Sequence, residues 1–140
     1  MSDTVNIQGA TILVVDDEPY MVKLLESILT KAGHSVITTS SGRAAIEIAQ
    51  AAMPDLILMD ISMPNMDGYE VTAHIKQYPK LQDIPVIFLS GRSEEEDGGR
   101  FLAIGGAVFL HKPFKVNQIR DVVGLALRSQ TKFQRNTARS

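Results

Sequence analysis

Apolar runs of strand length alternate with helical patterns along this chain. The run from Thr11 to Val15 is short, continuous and rich in β-branched residues, which is typical of a strand buried on both faces. Between Pro19 and Gly33, apolar residues recur at spacings of three and four, which predicts a helix with proline in its first turn and glycine at its end. The same reasoning predicts further strands over residues 35–39, 56–59, 85–89 and 107–110, and further helices over residues 43–53, 68–77 and 116–127.

The segment between the fourth and fifth strands carries conflicting signals. Its acidic run, residues 94–97, suits the start of a helix because acids complement the positive end of the helix dipole. Gly98 and Gly99 follow at once, and a glycine inside a helix costs about 1 kcal/mol relative to alanine. We therefore predict a short or frayed fourth helix in this segment.

Strands that alternate with helices throughout a chain predict parallel βαβ units with right-handed crossovers. The expected fold class is α/β, with a doubly wound parallel sheet of about five strands and helices on both faces. We expect the flavodoxin-like strand order 2-1-3-4-5. Such sheets bind ligands beyond the carboxyl ends of their strands, so the residues that directly follow each strand are the candidates for chemistry.

Acidic side chains follow two of the predicted strands. Asp16 and Asp17 come directly after the first strand, and Asp60 comes after the third. In the expected strand order these two strands are neighbours, so the three carboxylates converge on one spot. Carboxylates that crowd together repel one another, and such a cluster is stable only with protons shared or a cation bound. Oxygen ligands with no histidine or cysteine nearby favour Mg²⁺ or Ca²⁺ over zinc.

Two further strand ends carry groups that suit a phosphoryl ligand. Lys112 follows the fifth strand and Ser90 the fourth, and they offer a positive charge and a hydroxyl donor. The chain has no glycine-rich loop of the G-x-x-x-x-G-K-[ST] type, so nucleotide binding through backbone amides is unsupported. Acids after the first strand would also repel a flavin phosphate. The pattern is that of a phosphoryl-transfer site in outline.

Four segments of the sequence resemble one protein family in order and spacing. The segments are ILVVDDEP at 12–19, DLILMDISMPNMDG at 55–68, PVIFLSG at 85–91 and HKPF at 111–114. Together they closely resemble receiver domains of two-component response regulators, in particular single-domain chemotaxis-type regulators. The resemblance extends from about Thr11 to Arg128.

The resemblance implies a role for each acid. Asp60 would take a phosphoryl group from the phosphohistidine of a histidine kinase or a phosphotransfer protein. Asp17 would ligate Mg²⁺, with Mn²⁺ as a possible substitute, together with Asp60 and the backbone carbonyl of Ser62. Asp16 would act on the metal largely through water.

The resemblance also implies a switch. Ser90 would be the hydroxyl that moves onto the phosphoryl group, Lys112 would pair with that group, and Phe109 would be the aromatic that rotates inward. The Lys112–Pro113 bond would be cis, as X-Pro chemistry permits. Ser62 and Arg92 would flank the phosphoryl group and tune its hydrolysis. A partner protein would read the change on the face formed by the fourth helix, the fifth strand and the fifth helix.

Other interpretations of these residues stay open. Asp16 and Asp17 could cap the helix that begins near Pro19, and Phe109 could be an ordinary core residue. A Mg²⁺-dependent aspartyl phosphatase is the alternative function, although enzymes of the haloacid-dehalogenase type carry a second Asp where this chain has Ser62. A degenerate receiver that only binds protein is the third reading. We expect no enzyme activity beyond phosphorylation and dephosphorylation of the chain itself.

Composition limits the remaining function classes. The 140 residues include no cysteine, which excludes disulfides, thiolate catalysis and cysteine-ligated metals. No apolar run approaches the length of a membrane span, and the first residues lack a signal-peptide pattern, so we expect a cytoplasmic protein. The resemblance leaves a monomer or a phosphorylation-dependent dimer open.

The net charge of −2 conceals two regions of opposite sign. Residues 128–140 carry four basic residues and no acid, which leaves a charge of −6 on residues 1–127. We expect an N-terminal tail over 1–10, a receiver domain over 11–128 and a flexible basic tail over 129–140. The tail could also dock an acidic partner or a membrane surface. It offers no fold of its own, so direct DNA binding is not expected.

Overall fold

One parallel sheet of five strands runs through the computed structural model, which describes residues 9–93, 95–97, 99–104 and 107–130. The strands are β1 (Thr11–Val15), β2 (Ser35–Thr39), β3 (Leu56–Asp60), β4 (Val86–Ser90) and β5 (Ala107–His111). Their order is β2-β1-β3-β4-β5, and every neighbouring pair is parallel. The predicted doubly wound, flavodoxin-like α/β fold is therefore confirmed.

Within the described residues, four α-helices cover the two faces of the sheet. They are α1 (Pro19–Lys31), α2 (Gly42–Ala52), α3 (Gly68–Lys76) and α4 (Val116–Arg128). In the part of the chain that the structure describes, none of the helices is both long and apolar enough to cross a membrane.

Local sequence signals explain where the helices begin and end. Ser41 caps α2 because its hydroxyl accepts a hydrogen bond from the backbone N–H of Ala44. Asp67 and Glu70 form a reciprocal capping box at the start of α3. Pro19 is the first residue of α1, where its missing N–H costs no hydrogen bond.

The core consists of two apolar layers, one on each face of the sheet. Alternate residues of a strand point to opposite faces, so Ile12 and Val14 pack in the layer under α1 and α4, whereas Leu13 and Val15 pack in the layer under α2 and α3. Every residue of β3 and β4 is buried, which explains why these strands read as continuous apolar runs. The edge strand β2 is half-exposed, in keeping with its polar sequence.

Three strands run one residue further than the apolar pattern predicts. The hydrogen-bonded ladder continues through Asp60, Ser90 and His111, since the N–H of Lys112 donates to the carbonyl of Ser90 at 2.7 Å. The polar residues at these positions therefore belong to rigid strand ends and not to loops. That rigidity matters for the site that they form.

The segment between β4 and β5 is the least regular part of the described chain. Its residues 95–97 form a turn, and a short 3₁₀ helix follows at Arg100–Ala103. Gly99 has a φ of 70°, which an alanine would adopt only with strain. The predicted fourth helix is thus reduced to a 3₁₀ turn, although Glu94 and Gly98 lie outside the described residues.

The predicted tails lie mostly outside the described residues, because these omit 1–8 and 131–140. Ala10 is fully buried, and the Gly9 N–H donates to the carbonyl of Gly33 at 2.9 Å. At the other end, the Gln130 side chain donates to the carbonyl of Asp55 at 2.6 Å. Residues next to the predicted domain limits therefore contact the sheet.

Candidate functional site

Three acidic side chains meet at the carboxyl edge of the sheet. Asp16 follows β1 directly, Asp60 ends β3, and the pairing of Val15 with Met59 places these two strand ends side by side. One carboxylate oxygen from each of Asp16, Asp17 and Asp60 lies within 4.8 Å of the others. The structure therefore brings the three predicted carboxylates together.

Burial differs among the three acids. Asp16 is fully buried and Asp60 is 3% exposed, whereas Asp17 is half-exposed at the surface. Oδ1 of Asp16 accepts a hydrogen bond from the Glu18 N–H at 2.9 Å. Asp16 is thereby held by the backbone that leads into α1, whose N-cap residue is Glu18 and not Asp16 or Asp17.

Lys112 lies over the acidic cluster. Its Nζ is 3.2 Å from Oδ2 of Asp16 and 3.4 Å from Oδ1 of Asp60. A third carboxylate, that of the exposed Glu18, is 3.5 Å away. The Lys112 side chain is 14% exposed, so its charge is only partly screened by solvent.

Burial and like charge raise the pKa of Asp60 to about 7. Burial has the largest effect, followed by the charge of Asp16, while the ammonium of Lys112 acts in the opposite direction. Burial lowers the pKa of Lys112, but the charges of Asp60 and Asp16 outweigh that effect and the pKa of Lys112 is raised. The lysine therefore stays charged, and the carboxyl of Asp60 is close to its midpoint at neutral pH.

The donor set fits a hard divalent cation. Only carboxylate oxygens converge here, and Mg²⁺ prefers one or two carboxylates with its remaining positions open to water or phosphate. A bound cation would also relieve the repulsion that raises the pKa of Asp60. Ser62 donates its backbone N–H to Oδ1 of Asp60 at 3.3 Å, and the expected role of its carbonyl remains a prediction.

The loop that carries Ser62 is held close to the site by α3. The N–H of Gly68 donates to the carbonyl of Ile61 at 2.9 Å. A Cβ at position 68 would collide with the backbone carbonyl of Asp60 and press on the Met59 side chain. Glycine at the start of α3 thus allows the helix to pack directly against the end of β3.

Ser90 and Lys112 are tied together across β4 and β5. Ser90 is fully buried, and its Oγ accepts a hydrogen bond from the Arg92 N–H at 2.9 Å. Its carbonyl accepts from the Lys112 N–H, and the Lys112–Pro113 bond is cis, as predicted. The two residues therefore share one rigid connection at the site.

Phe109 lies on β5, on the same face of the sheet as α3, and is half-buried. Its ring packs against Phe101 with centroids 5.4 Å apart. An open pocket of about 390 Å³ lies beside it, lined by Ser93, Phe109, Leu110, His111, Pro113 and Gln118. Phe109 is thus a partly buried residue at the margin of this pocket, and its expected switch role remains a prediction.

Sequence reasoning missed a polar network beside this site. The Tyr69 hydroxyl donates to Oδ2 of Asp97 at 3.1 Å, and Nε of Arg92 lies 3.4 Å from Oδ1 of the same carboxylate. The Arg100 guanidinium stacks 4.3 Å above the Tyr69 ring and lies 3.6 Å from Asp67. Neither periodicity nor strand-end position signals these contacts, because they join α3 to an irregular segment.

The sequence model of one protein family, the response regulator receiver domain, matches residues 12–124. The matched residues include the whole acidic cluster and Lys112. This chain belongs to the receiver domain family. Receiver domains are phosphoacceptors, they typically bind Mg²⁺, and they interact with histidine kinases and phosphotransfer proteins.

Relatives and solved structures agree with this assignment. The alkaline phosphatase synthesis regulator PhoP of Bacillus subtilis is 37% identical over 117 residues, which cover 84% of this chain and 48% of PhoP. The chemotaxis protein CheY4 of Vibrio cholerae is similar in structure, with a TM-score of 0.80 and 28% identity over 85% of this chain and 99% of CheY4.

A further similar structure is the receiver domain of a sensor histidine kinase from Pseudomonas aeruginosa. It has a TM-score of 0.78 and 29% identity over 85% of this chain and 98% of its own, and a magnesium ion is coordinated in its active-site cleft. The chain spans about half the length, or less, of the curated relatives that it matches. Receiver domains thus occur both alone and within longer proteins.

Proposed function

We propose that this receiver domain is a phosphoacceptor switch, in which Asp60 accepts a phosphoryl group from the phosphohistidine of a histidine kinase or a phosphotransfer protein. The observation that carries this proposal is the convergence of Asp16, Asp17 and Asp60 beneath Lys112. Among the described residues, these acids are the one group of three or more that is close enough to share an ion.

In the transfer step, a carboxylate oxygen of Asp60 bonds to phosphorus while the bond from phosphorus to the donor's imidazole nitrogen breaks. The imidazole leaves with the electron pair. Asp60 must be ionised to act as the nucleophile, and Lys112 favours that form. Asp17, Asp60 and the carbonyl of Ser62 would hold Mg²⁺ or Mn²⁺, with Asp16 acting largely through water, and the ion would supply positive charge to the phosphoryl oxygens.

The phosphoryl group then changes the conformation through its charge. It carries about −1.5 to −2 charge in place of the −1 of the ionised carboxylate, and this larger charge attracts the Ser90 hydroxyl and the Lys112 ammonium. Phe109 turns into the space that Ser90 leaves, beside the open pocket. This coupling selects between two existing conformers, so its size is limited by the contacts that differ between them.

A partner protein reads the change on the face formed by the segment after Ser90, β5 and α4. Exposed apolar side chains lie on these elements, among them Leu102, Val108 and Val116. An exposed apolar face suits a protein partner more than DNA. We place this interaction in the cytoplasm. The receiver acts there as a monomer or as a dimer that forms on phosphorylation.

Incubation with acetyl phosphate and Mg²⁺ tests the proposal. We expect intact-mass spectrometry to show a gain of one phosphoryl group, which EDTA prevents and Asp60→Asn abolishes. Asp121→Asn is the matched control, because Asp121 is exposed on α4 and should leave the mass gain unchanged. A wild-type protein without the mass gain, or an Asp60→Asn variant that keeps it, would contradict the proposal.

A turnover assay separates the switch from the alternative phosphatase. We expect the protein to hydrolyse small phosphate esters at no more than the background rate. In a switch, the phosphoryl group on Asp60 changes the conformation and is not an intermediate in repeated turnover of a substrate. Sustained release of phosphate that depends on Asp60 would favour the enzyme instead.

A further inference from the structure

Asp97 bridges the loop after β4 and helix α3. One of its carboxylate oxygens lies 3.4 Å from Nε of Arg92, and the other accepts the hydroxyl hydrogen bond of Tyr69. The Asp97 side chain is 6% exposed, whereas that of Arg92 is 57% exposed. A carboxylate buried to this extent depends on its partners, because removing the partner of a buried charge is strongly destabilising.

The guanidinium of Arg92 is directed along its own loop. Besides the contact with Asp97, its second nitrogen donates to the carbonyl of Glu96 at 3.1 Å. The turn is shaped by reciprocal hydrogen bonds between Ser93 and Glu96, at 2.8 and 3.1 Å. Two groups of the same turn, the Asp97 carboxylate and the Glu96 carbonyl, therefore hold the Arg92 side chain.

The backbone of Arg92, by contrast, lies next to the phosphoacceptor site. Its N–H donates to Oγ of Ser90, and Ser90 follows Leu89, the residue paired with Asp60 in the sheet. The backbone on this side is also held from β5, since Nε2 of His111 lies 3.1 Å from the Gly91 carbonyl. The Arg92 side chain therefore leaves a backbone that lies beside the site, while its guanidinium is held at Asp97.

We propose that Asp97 is a positioning residue that withholds the Arg92 guanidinium from the phosphoryl group on Asp60; this inference rests on the proposed function. Arginine binds phosphoryl oxygens and carboxylates with the same planar fork of donors. The phosphoryl group and Asp97 therefore compete for one guanidinium. When Arg92 turns toward the phosphoryl group, the Asp97 carboxylate keeps only the Tyr69 hydroxyl among its partners in the described residues, and this loss weakens phosphoryl binding.

Binding of trifluoroberyllate, a phosphoryl mimic, in the presence of Mg²⁺ measures the competition by titration calorimetry. We expect Asp97→Asn to bind the mimic about three- to tenfold more tightly than the wild type, because the guanidinium is released. In an Arg92→Gln background the same substitution should have no effect. An equal change in both backgrounds, or no change in either, would overturn the proposal.

Tyr69→Phe supplies a second variant whose effect has the opposite sign. It removes the hydroxyl and keeps the ring contacts with Phe88 and Arg100. Among the described residues, Arg92 is then the remaining partner of the Asp97 carboxylate, so the guanidinium is held more firmly and the mimic should bind more weakly. If Asp97 only shaped the loop, loosening it by either substitution would shift the affinity in the same direction.

The wild-type titration distinguishes the two levels of the proposal. A wild-type protein that binds no trifluoroberyllate with Mg²⁺ refutes the phosphoacceptor function, and the role of Asp97 falls with it. Wild-type binding without coupling between positions 92 and 97 refutes the role of Asp97 alone. Thermal unfolding of each variant, run in parallel, shows that the titrated protein is folded.

Discussion

Asp60 is the residue at which burial and charge oppose ionisation most strongly. It is 3% exposed, it faces the carboxylate of Asp16, and its pKa is raised to about 7. An unfolded chain ionises the same carboxyl near a pKa of about 4. Folding therefore disfavours the charged form that a phosphoacceptor needs, and Lys112 offsets only part of that cost.

We expect Asp60→Asn to be more stable than the wild type at pH 8 in EDTA, by about 1–3 kcal/mol. Because the folded pKa is raised, the stability contributed by protonated Asp60 is fully present below about pH 4 and is lost as the pH rises through about 7. The difference between the proteins should thus shrink as the pH is lowered from 7 to 4. Urea unfolding followed by circular dichroism measures it.

Added Mg²⁺ provides the control for that prediction. A cation that binds the three acids stabilises the wild type by mass action. At pH 8 it should therefore reduce the difference in the free energy of unfolding between the wild type and Asp60→Asn. An Asn variant that is less stable than the wild type in EDTA would show that burial and the charge of Asp16 do not destabilise ionised Asp60 in the folded protein.

The sequence predicts the acids of the site better than their partners. Asp16, Asp17 and Asp60 follow central strands, and the topology alone brings such residues together. The contact between Lys112 and Glu18 depends on side-chain reach and leaves no mark in the pattern. In the sequence, Asp97 is the last of four consecutive acids at 94–97, a pattern that is typical of a solvent-exposed segment. In the folded protein its carboxylate is buried.

At the scale of elements, the close approach of α3 to β3 determines how accurately Asp60 is placed. We expect Gly68→Ala to destabilise the fold by about 1–3 kcal/mol, because its Cβ collides with the Asp60 carbonyl. Gly124→Ala in α4 is the matched control. Its Cβ meets nothing within 4 Å, so it should stabilise the fold by about 0.5–1 kcal/mol.

Urea denaturation of both alanine variants checks the pair. Because Gly68 packs on the backbone of Asp60, the proposed phosphoacceptor, its substitution should also slow phosphorylation by acetyl phosphate, which Gly124→Ala should not do. Equal stability changes for the two variants would mean that α3 can shift away from β3 without cost.

Strands are the elements that the sequence predicts best. β1 and β2 match the predicted ranges, because continuous apolar or alternating runs leave little choice of register. The segment after β4 is predicted less well. There, helix-starting acids compete with glycines, and the outcome depends on contacts with α3 that a local pattern does not contain.

At the scale of the whole molecule, hydrogen bonds at the amino edge of the sheet join residues near the two ends of the described chain. Gln130 donates to the Asp55 carbonyl, and a carboxylate oxygen of Asp55 accepts the Thr11 N–H at 2.8 Å. The start of β1, the start of β3 and the residue two positions after α4 are therefore joined at the amino edge of the sheet.

Truncation after Gln130 should leave the free energy of unfolding within about 0.5 kcal/mol of the full chain, since the anchor at residue 130 is kept. Gln130→Ala in the truncated chain should cost about 0.5–1.5 kcal/mol, the usual value of one hydrogen bond. Thermal and urea unfolding of the three proteins test these values. A large loss on truncation alone would show that residues 131–140 belong to the folded unit.

Lys112 extends from the edge strand β5 across the carboxyl edge to Asp16 beside β1. Because Lys112 directly follows β5, the distance between its charge and Asp60 depends on the position of this edge strand. Linkage between two binding events is reciprocal. If phosphorylation of Asp60 changes the affinity for a partner that favours one position of β5, binding of that partner must change the phosphorylation equilibrium of Asp60 by the same factor. Under the proposed function, a partner bound at the output face would therefore shift the equilibrium between unphosphorylated and phosphorylated Asp60.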